Sequence, residues 1–421
     1  MVNSSSLQLP VTAGVNDYRL QAEELFAEYK AGDPQVRLLI DRHHPRIRRL
    51  EAGEENHSEV TLADIQLAIA EWYYHESWQH LEQWAEEAAS AGSRVSSFEA
   101  AAVAILSGNL PTLRALLRLY PSLVRLRSAR RHHATLLHYI AANGVEYYRD
   151  HYPKNAIAML DLLLAAGADV DATADLYGGN ATTLGLVATS IHPAKAGLQI
   201  QLLDRLIGAG AVMDAPDAAG NSQYIVDGCL SNGRPEAANY LARRGAHLGL
   251  ESAAGVGKLD VVETYFGPDG ELKKTATRGQ LGAALNWASE YGHSEVVEYL
   301  MDRGADPGES INGMHALHMA LLGGHLETIR LLVRRGAPLE ARNIYGGSPL
   351  GMALWAIKNR DPIHTWPEKK IDNLAVIETL LSGGAEVGPG ILATVLWQPR
   401  SRLKTEIEQL LLRYGVEPWK T

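Results

Sequence analysis

Phenol, imidazole and cationic side chains are concentrated in two short stretches of this sequence, near residues 145–155 and 191–197. An Arg guanidinium can bind a carboxylate or phosphate through two parallel hydrogen bonds, and Tyr rings can pack beside it at low entropic cost. This chemistry suits an acidic peptide or a small anionic or hydroxylated ligand. The candidate binding residues are His138, Tyr139, Asn143, Tyr148, Arg149, His151, Thr189, His192 and Lys195.

Motifs for catalysis are absent from the sequence. It contains no G-x-G-x-x-G behind a strand, no P-loop, no G-x-S-x-G and no H-E-x-x-H. The paired carboxylates Glu54-Glu55 and Glu86-Glu87 fall on faces that we predict to be solvated. We therefore predict no catalytic residue and no cofactor.

The elements that must position the candidate residues are repeated along the chain. A Leu stands four residues before a Gly-Ala pair six times, and Leu411 with Gly415 is a seventh copy that has Val in place of Ala. This spacing is typical of a helix end, where the Leu packs one turn back and the Gly takes a left-handed conformation. The spacing of the repeat at Leu317, Gly324 and Gly336 predicts another helix before the one that ends at the Gly-Ala pair. Each unit is therefore a helix, a Gly turn and an antiparallel helix. The period is 32 to 33 residues.

These motifs resemble the ankyrin-repeat family. Its pattern T-P-L-H-x-A is matched in part at residues 135–138, 316–320 and 348–350, and the resemblance covers about 98–421. It implies an all-α fold of about eight stacked helix pairs, a solenoid with a concave face, that binds other proteins. His132, His133, His138, His151 and His192 could suggest a metal site. The resemblance implies instead that His138 forms hydrogen bonds within its repeat, so we predict no metal.

Residues 1–95 differ from the repeats, and we predict an N-terminal helical region with helices over 17–30, 34–50 and 62–89. Thr61 followed by Asp64 is typical of a helix start. The region resembles a short module seen before bacterial ankyrin arrays, which implies no activity. We predict that it packs on the first repeat and covers its open end; a separate partner-binding role is the alternative. Residues 96–421 then form the repeat array, which ends in capping helices over 391–414.

Three repeats are longer than the others. The spacing from the first-helix Leu to the Gly-Ala pair is 19 residues in the regular repeats, but 30, 26 and 34 residues in those containing Leu137, Leu184 and Leu350. The added residues fall in the turn between the two helices of a repeat. They lie near 145–155, 191–197 and 358–372. Loops longer than the scaffold requires frequently carry binding or catalysis.

The first two insertions belong to adjacent repeats, so we expect them to meet. We predict that Tyr148, Arg149 and His192 line one cavity or groove with Tyr139 and Asn143. In the alternative, the two loops only brace each other, and Tyr148 and Arg149 are buried against protein. The third insertion, which contains His364 and Trp366, is predicted to form a separate patch.

Composition limits the class of protein. The chain has 421 residues, of which 46% are apolar and 21% charged, as in ordinary globular proteins. No uninterrupted apolar run reaches the roughly 20 residues of a membrane span, and we expect no secretory signal. Cys229 is the single cysteine, which suits a reducing compartment, so we expect a cytoplasmic protein.

The net charge of −10 gives the chain little attraction for nucleic acid, and we predict neither a nucleic-acid nor a membrane partner. The basic stretches 42–49 and 125–131 are interpreted as solvated faces.

Taken together, these features predict a binding module that recognises a protein partner through its concave face and inserted loops. The alternative is an enzyme or small-molecule receptor with a polar-aromatic site built by the insertions at 145–155 and 191–197. A closed pocket with convergent polar groups would favour the alternative, and an open groove would favour the binding module. We also predict no sheet of four or more strands within residues 98–421.

Overall fold

The computed structural model describes residues 9–44, 60–141, 145–146, 152–214, 224–359, 371–388 and 402–416. The chain divides into two compact units, unit 1 (Met1–Asn221) and unit 2 (Ser222–Thr421). Both consist mainly of helix pairs joined by turns. Within the described residues, β1 (Thr173–Ala174) and β2 (Ala181–Thr182) form a two-stranded antiparallel sheet, and no larger sheet is found. The all-α fold class is confirmed.

Unit 1 begins with four described helices whose apolar faces share one core, which includes Tyr18, Ile69 and Trp84. The predicted helix start at Thr61 is confirmed, because the Asp64 carboxylate accepts a hydrogen bond from the Thr61 N–H at 2.9 Å. The four helices are α1 (Val15–Lys30), α2 (Pro34–His43), α3 (Leu62–Trp72) and α4 (Trp78–Ala89).

The predicted single helix over 62–89 is wrong. A turn at residues 73–77 separates α3 from α4. Tyr74 takes a left-handed φ of 63°, which a continuous helix does not allow. The Ser77 hydroxyl then accepts a hydrogen bond from the His80 N–H at 3.1 Å and begins the second helix. Residues 45–50 of the helix predicted over 34–50 lie outside the described residues.

The rest of unit 1 contains the first helix pairs. Its helices are α5 (Arg94–Leu106), α6 (Leu110–Leu119), α7 (Ala156–Ala165), α8 (Thr183–Thr189), α9 (Ile191–Lys195) and α10 (Gln199–Gly208), with 3-10 turns at Pro121–Arg125 and Leu136–Ala141. Consecutive repeats are joined by hydrogen bonds: the Ser190 hydroxyl donates to the carbonyl oxygen of Ala141 at 3.1 Å.

Unit 2 repeats the helix pair with an apolar core. Leu285, Leu317 and Leu350 hold equivalent positions in successive repeats and are at most 1% exposed. Gly304 and Gly336 end their helices at φ values of 85° and 80°, as predicted. The described helices are α11 (Ile225–Ser231), α12 (Pro235–Arg243), α13 (Leu250–Gly255), α14 (Leu259–Glu263), α15 (Arg278–Tyr291), α16 (Ser294–Asp302), α17 (Ala316–Gly323), α18 (Leu326–Arg334), α19 (Pro349–Asn359), α20 (Asn373–Ser382) and α21 (Arg402–Arg413).

Two details of the domain organisation stay predictions. The repeat count of about eight is one, and the division of the chain at residues 95 and 96 is the other. The N-terminal helices do contact the first repeat, because α4 packs against α5. Of the predicted capping helices, α21 is described, and residues 391–401 lie outside the described part. None of the described helices combines the length and the apolar character that a membrane span requires.

We expect deletion of residues 1–90 to expose apolar side chains of α5, because α4 packs on that helix. The truncated chain should lose solubility and self-associate. Size-exclusion chromatography with light scattering measures the association, and a thermal melt measures the stability. A monomeric truncated chain with the melting temperature of the full chain would show that the N-terminal helices do not cover the array.

Candidate binding site

Hydrogen bonds attach the start and the end of the first insertion to the rest of unit 1. At the start, the Tyr139 hydroxyl donates a hydrogen bond to Glu146 Oε1 at 2.6 Å. At the end, Asn155 Nδ2 donates to the carbonyl oxygen of Gly108 at 2.9 Å. Residues 147–151 lie outside the described residues. The two attachments use different parts of the scaffold.

A buried polar cluster surrounds the start of this insertion. We call it the Arg130 cluster and define it as Glu99, Arg130, His132, Tyr139 and Glu146, which are between 0% and 6% exposed. Arg130 Nε lies 3.4 Å from Glu99 Oε1 and 3.3 Å from Glu146 Oε1. Breaking such a buried pair by removing one partner is costly, because the other charge is left without compensation.

His132 adds a third polar contact to Glu146. Its Nδ1 accepts a hydrogen bond from the Ala134 N–H at 3.1 Å, so the ring proton of the neutral imidazole is on Nε2. That Nε2 lies 3.4 Å from Glu146 Oε1. One carboxylate oxygen therefore faces a phenol, a guanidinium and an imidazole.

The N-terminal helices form the other side of the Arg130 cluster. Arg130 Nη1 donates to the carbonyl oxygen of Tyr73 at 2.7 Å, and the guanidinium carbon lies 4.3 Å from the centroid of the Trp84 ring. The N–H of the next residue, Arg131, donates to the carbonyl oxygen of Tyr74 at 2.9 Å. The Arg131 side chain is paired with Glu71. The turn between α3 and α4 is thus bound by two consecutive arginines.

His75 is a buried imidazole at the edge of this cluster. It is 0% exposed, and its ring centroid lies 5.2 Å from that of Trp84 and 5.1 Å from that of His80. Neither ring nitrogen has a hydrogen-bond partner within the described part of the chain. Burial lowers the pKa of His75 to about 2, and the positive charge of Arg130 acts in the same direction. The ring is therefore neutral at physiological pH.

His138 forms hydrogen bonds within its repeat and to the next repeat. Its Nδ1 accepts from the Thr135 N–H at 3.1 Å, and its Nε2 donates to the carbonyl oxygen of Ala181 at 3.1 Å in the next repeat. Burial lowers its pKa to about 4. The bond with Thr135 lies within the repeat, as the family resemblance implied, and the bond to Ala181 joins it to the next repeat. Thr189 is likewise used locally, because its hydroxyl donates to the Gly185 carbonyl oxygen within α8 at 2.9 Å.

The second insertion folds as the short helix α9. The Ser190 hydroxyl accepts from the His192 N–H at 3.2 Å at the start of this helix. His192 is half-buried and Lys195 is exposed. Tyr139 is 1% exposed and is bound to Glu146. The remaining candidates, Asn143, Tyr148, Arg149 and His151, lie outside the described residues. A common cavity for the predicted lining residues stays a prediction.

The interpretation of residues 125–131 as a solvated basic face is wrong at Arg130, which is 0% exposed. Its partners Glu99 and Glu146 were also missed by the sequence analysis. One signal was available: Glu99 is the single charged residue within the apolar run that follows Phe98 in α5. An isolated charge on a core-facing helix needs a partner, since an unpaired buried charge is unstable.

A second candidate surface lies in unit 2, at the connection before α19. Tyr345 is 89% exposed and Ile344 is 66% exposed. The backbone that carries them is well fixed. Asn343 Oδ1 accepts from the N–H groups of Tyr345 and Gly347 at 3.0 and 2.9 Å, and the Ile344 N–H donates to the carbonyl oxygen of Gly313 at 2.7 Å. Trp355 of α19 is 52% exposed.

The third insertion follows α19, and its residues 360–370, with His364 and Trp366, lie outside the described part. Within the residues that the structure does describe, no group of three or more His, Cys, Asp or Glu side chains is placed to bind a metal.

Comparison with known proteins identifies the repeats. A family model described as ankyrin repeats matches residues 250–343 and 285–366. The chain is 31% identical over 157 residues to a probable E3 ubiquitin-protein ligase of Oryza sativa subsp. japonica, a match that covers 37% of this chain and 28% of that protein. It is 31% identical over 119 residues to a putative palmitoyltransferase of Danio rerio, covering 27% of this chain and 18% of that protein.

Protein PhlB of Serratia liquefaciens is 36% identical over 74 residues, which are 17% of this chain and 33% of that protein. The chain thus spans a third or less of the length of these curated relatives. Among solved structures, the ankyrin repeat domain of Bcl-3, an IκB family member, is 20% identical. That match covers 67% of this chain and 97% of that chain, with a TM-score of 0.31.

We expect Arg130→Met to reduce the free energy of unfolding of unit 1 by about 3–5 kcal/mol, because it leaves two buried carboxylates without their cation. The neighbouring Arg131→Met is the matched control. Its side chain is 39% exposed and pairs with Glu71, so its loss should cost about 1 kcal/mol or less. Urea unfolding followed by tryptophan fluorescence measures both. Equal losses for the two variants would contradict the buried ion pairs.

The stability of unit 1 should fall as the pH is lowered below about 6.5, the pKa of an unfolded histidine. His75 and His138 have pKa values of about 2 and 4 in the folded chain, so the unfolded chain binds protons first. We expect His75→Phe to reduce this slope by up to about 1.4 kcal/mol per pH unit between pH 6 and pH 5. Urea midpoints at four pH values measure it, and an unchanged slope would show that His75 does not titrate in this way.

Proposed function

We propose that this chain, which belongs to the ankyrin-repeat proteins, is a protein-interaction module that recognises its partner through a concave face and through its inserted loops. Ankyrin repeats generally bind other proteins. The observation that supports a binding surface on the repeats is the exposure of Tyr345 and Ile344 on a well-fixed backbone at the connection between two repeats. The cytoplasmic localisation belongs to the same proposal and is supported by the single, buried Cys229.

The side-chain hydrogen bonds and the positive φ of this turn come from residues other than Tyr345 and Ile344. Asn343 supplies its side-chain hydrogen bonds, and Gly346 supplies the positive φ of 76°. Fully burying an Ile side chain in a partner contributes on the order of 1.5–3 kcal/mol. Aromatic residues on a rigid support are frequent contributors to binding energy at protein interfaces.

The named relatives support a binding role. One is named as a ubiquitin ligase and another as a palmitoyltransferase, and each shares with this chain a stretch of fewer than 160 residues. Stretches that this chain shares with proteins of unlike named activities suit recognition better than one chemistry. Neither activity is proposed for this chain.

The alternative is an enzyme or small-molecule receptor at the insertions 145–155 and 191–197. One observation favours it: polar groups from two repeats lie on a scaffold joined by the hydrogen bond from Ser190 to Ala141. His192 and Lys195 belong to the second insertion, whereas Glu146 of the first insertion is buried in the Arg130 cluster. An anionic or hydroxylated ligand suits the side of this site that carries His192 and Lys195. Native mass spectrometry of the purified full chain would detect such a ligand as a bound mass.

We expect the variant Tyr345→Ser with Trp355→Ser to capture at least ten-fold less partner from native lysate than the unaltered chain. Quantitative mass spectrometry of the captured proteins measures this. Leu119→Ser is the matched control, because Leu119 is 67% exposed on α6 in unit 1 and its loss should leave capture unchanged. A third variant, Tyr148→Ala with Arg149→Ala, tests the inserted loop. Equal capture by all variants would refute the proposed surfaces, and loss with the third alone would assign binding to the inserted loop.

A further inference from the structure

Arg130 contacts three segments of unit 1 that are far apart in the chain. Its Nη1 donates to the carbonyl oxygen of Tyr73, 57 residues away, at 2.7 Å. Its Nε lies 3.4 Å from Glu99 Oε1 on α5 and 3.3 Å from Glu146 Oε1 at the start of the first insertion. The Trp84 ring of α4 covers one face of the guanidinium. The N-terminal helices and the insertion therefore share one side chain.

The guanidinium makes these contacts depend on one another. It stays charged and presents its N–H donors in a rigid planar fork. Each partner therefore restricts the orientation of the guanidinium that is available to the other partners. Its attraction to a carboxylate is strong only while water is excluded. If the N-terminal helices moved away, Arg130 would lose the Tyr73 carbonyl and the Trp84 face and would be hydrated. Its interaction with Glu146 would then weaken.

Only one end of the first insertion is attached through Arg130. Glu146 is bound by Arg130 and by the Tyr139 hydroxyl, whereas Asn155 is bound to the Gly108 carbonyl oxygen between α5 and α6. A change at the N-terminal helices should therefore reach Glu146 and leave Asn155 unaffected. A general loss of stability would affect both ends.

We propose that Arg130 is a positioning residue that couples the N-terminal helices to the start of the first insertion. The N-terminal helices then help to orient the start of the first insertion at Glu146, in addition to packing on the first repeat. The coupling follows from the contacts of Arg130. Its importance for binding rests on the proposed function.

Hydrogen–deuterium exchange of the full-length chain tests the coupling without any partner, so its failure is distinct from a failure of the proposed function. The test variant is Trp84→Leu, which removes the ring from the guanidinium and keeps Arg130 and Glu146. We expect exchange in the peptide that ends at Glu146 to become at least five-fold faster. The peptide covering residues 153–160 should be unchanged. Trp84→Phe, which restores an aromatic face, should return exchange near Glu146 toward the original rate.

The control is Leu39→Val, a core change on α2 in the same helical region, which should leave both peptides unchanged. Two results would overturn the proposal. One is an unchanged rate near Glu146 in Trp84→Leu, which would show that Arg130 does not transmit the change. The other is an equal acceleration of both peptides, which would show simple destabilisation of unit 1.

Discussion

A charged guanidinium with no exposure to solvent must keep its partners, and unit 1 is arranged around this requirement at Arg130. Removing an ion from water costs several kcal/mol even in real proteins, and the cost is offset only by well-placed opposite charges and hydrogen bonds. Those groups are supplied by Tyr73, Glu99 and Glu146, with the Trp84 face beside them. Arg130 consequently holds together the turn between α3 and α4, helix α5 of the first repeat and the start of the first insertion.

Unit 2 is built from the same helix pair. Its described core is a continuous set of apolar side chains, in which Leu285, Leu317 and Leu350 recur at equivalent positions. Histidines join consecutive repeats in both units: His138 donates to the Ala181 carbonyl oxygen, and His318 Nε2 lies 3.2 Å from that of Gly347. The scaffold is thus shared. Both units carry an exposed Tyr before a Gly-Gly turn, Tyr177 and Tyr345, and unit 1 carries in addition the first two insertions and the N-terminal helices.

The repeats could be predicted from the sequence because their determinants are local. A Leu four residues before a Gly specifies a helix end, and the left-handed φ of Gly304 and Gly336 follows from it. The break after Trp72 could not be predicted in the same way, because Tyr74 has a side chain and usually avoids a left-handed φ. The surroundings overcome this preference, since the Tyr74 carbonyl oxygen accepts the Arg131 N–H.

The candidate site was predictable only in part, for a related reason. The extra length at 145–155 and 191–197 is visible as a departure from the repeat spacing. The burial of Arg130 depends on partners that are 31 and 57 residues away in the chain, so no local pattern distinguishes it from Arg131. The same holds for Glu146, whose role depends on Tyr139 and Arg130 rather than on its neighbours in the sequence.

A double-mutant cycle between Trp84→Leu and Glu146→Gln measures the coupling through Arg130 most directly. One residue belongs to the N-terminal helices and the other to the first insertion, and both contact Arg130. We expect the loss in unfolding free energy of the double variant to differ by about 1 kcal/mol or more from the sum of the losses of the two single variants. The reason is that Arg130 is already displaced when the second change is made. Additivity within about 0.3–0.5 kcal/mol would contradict the coupling.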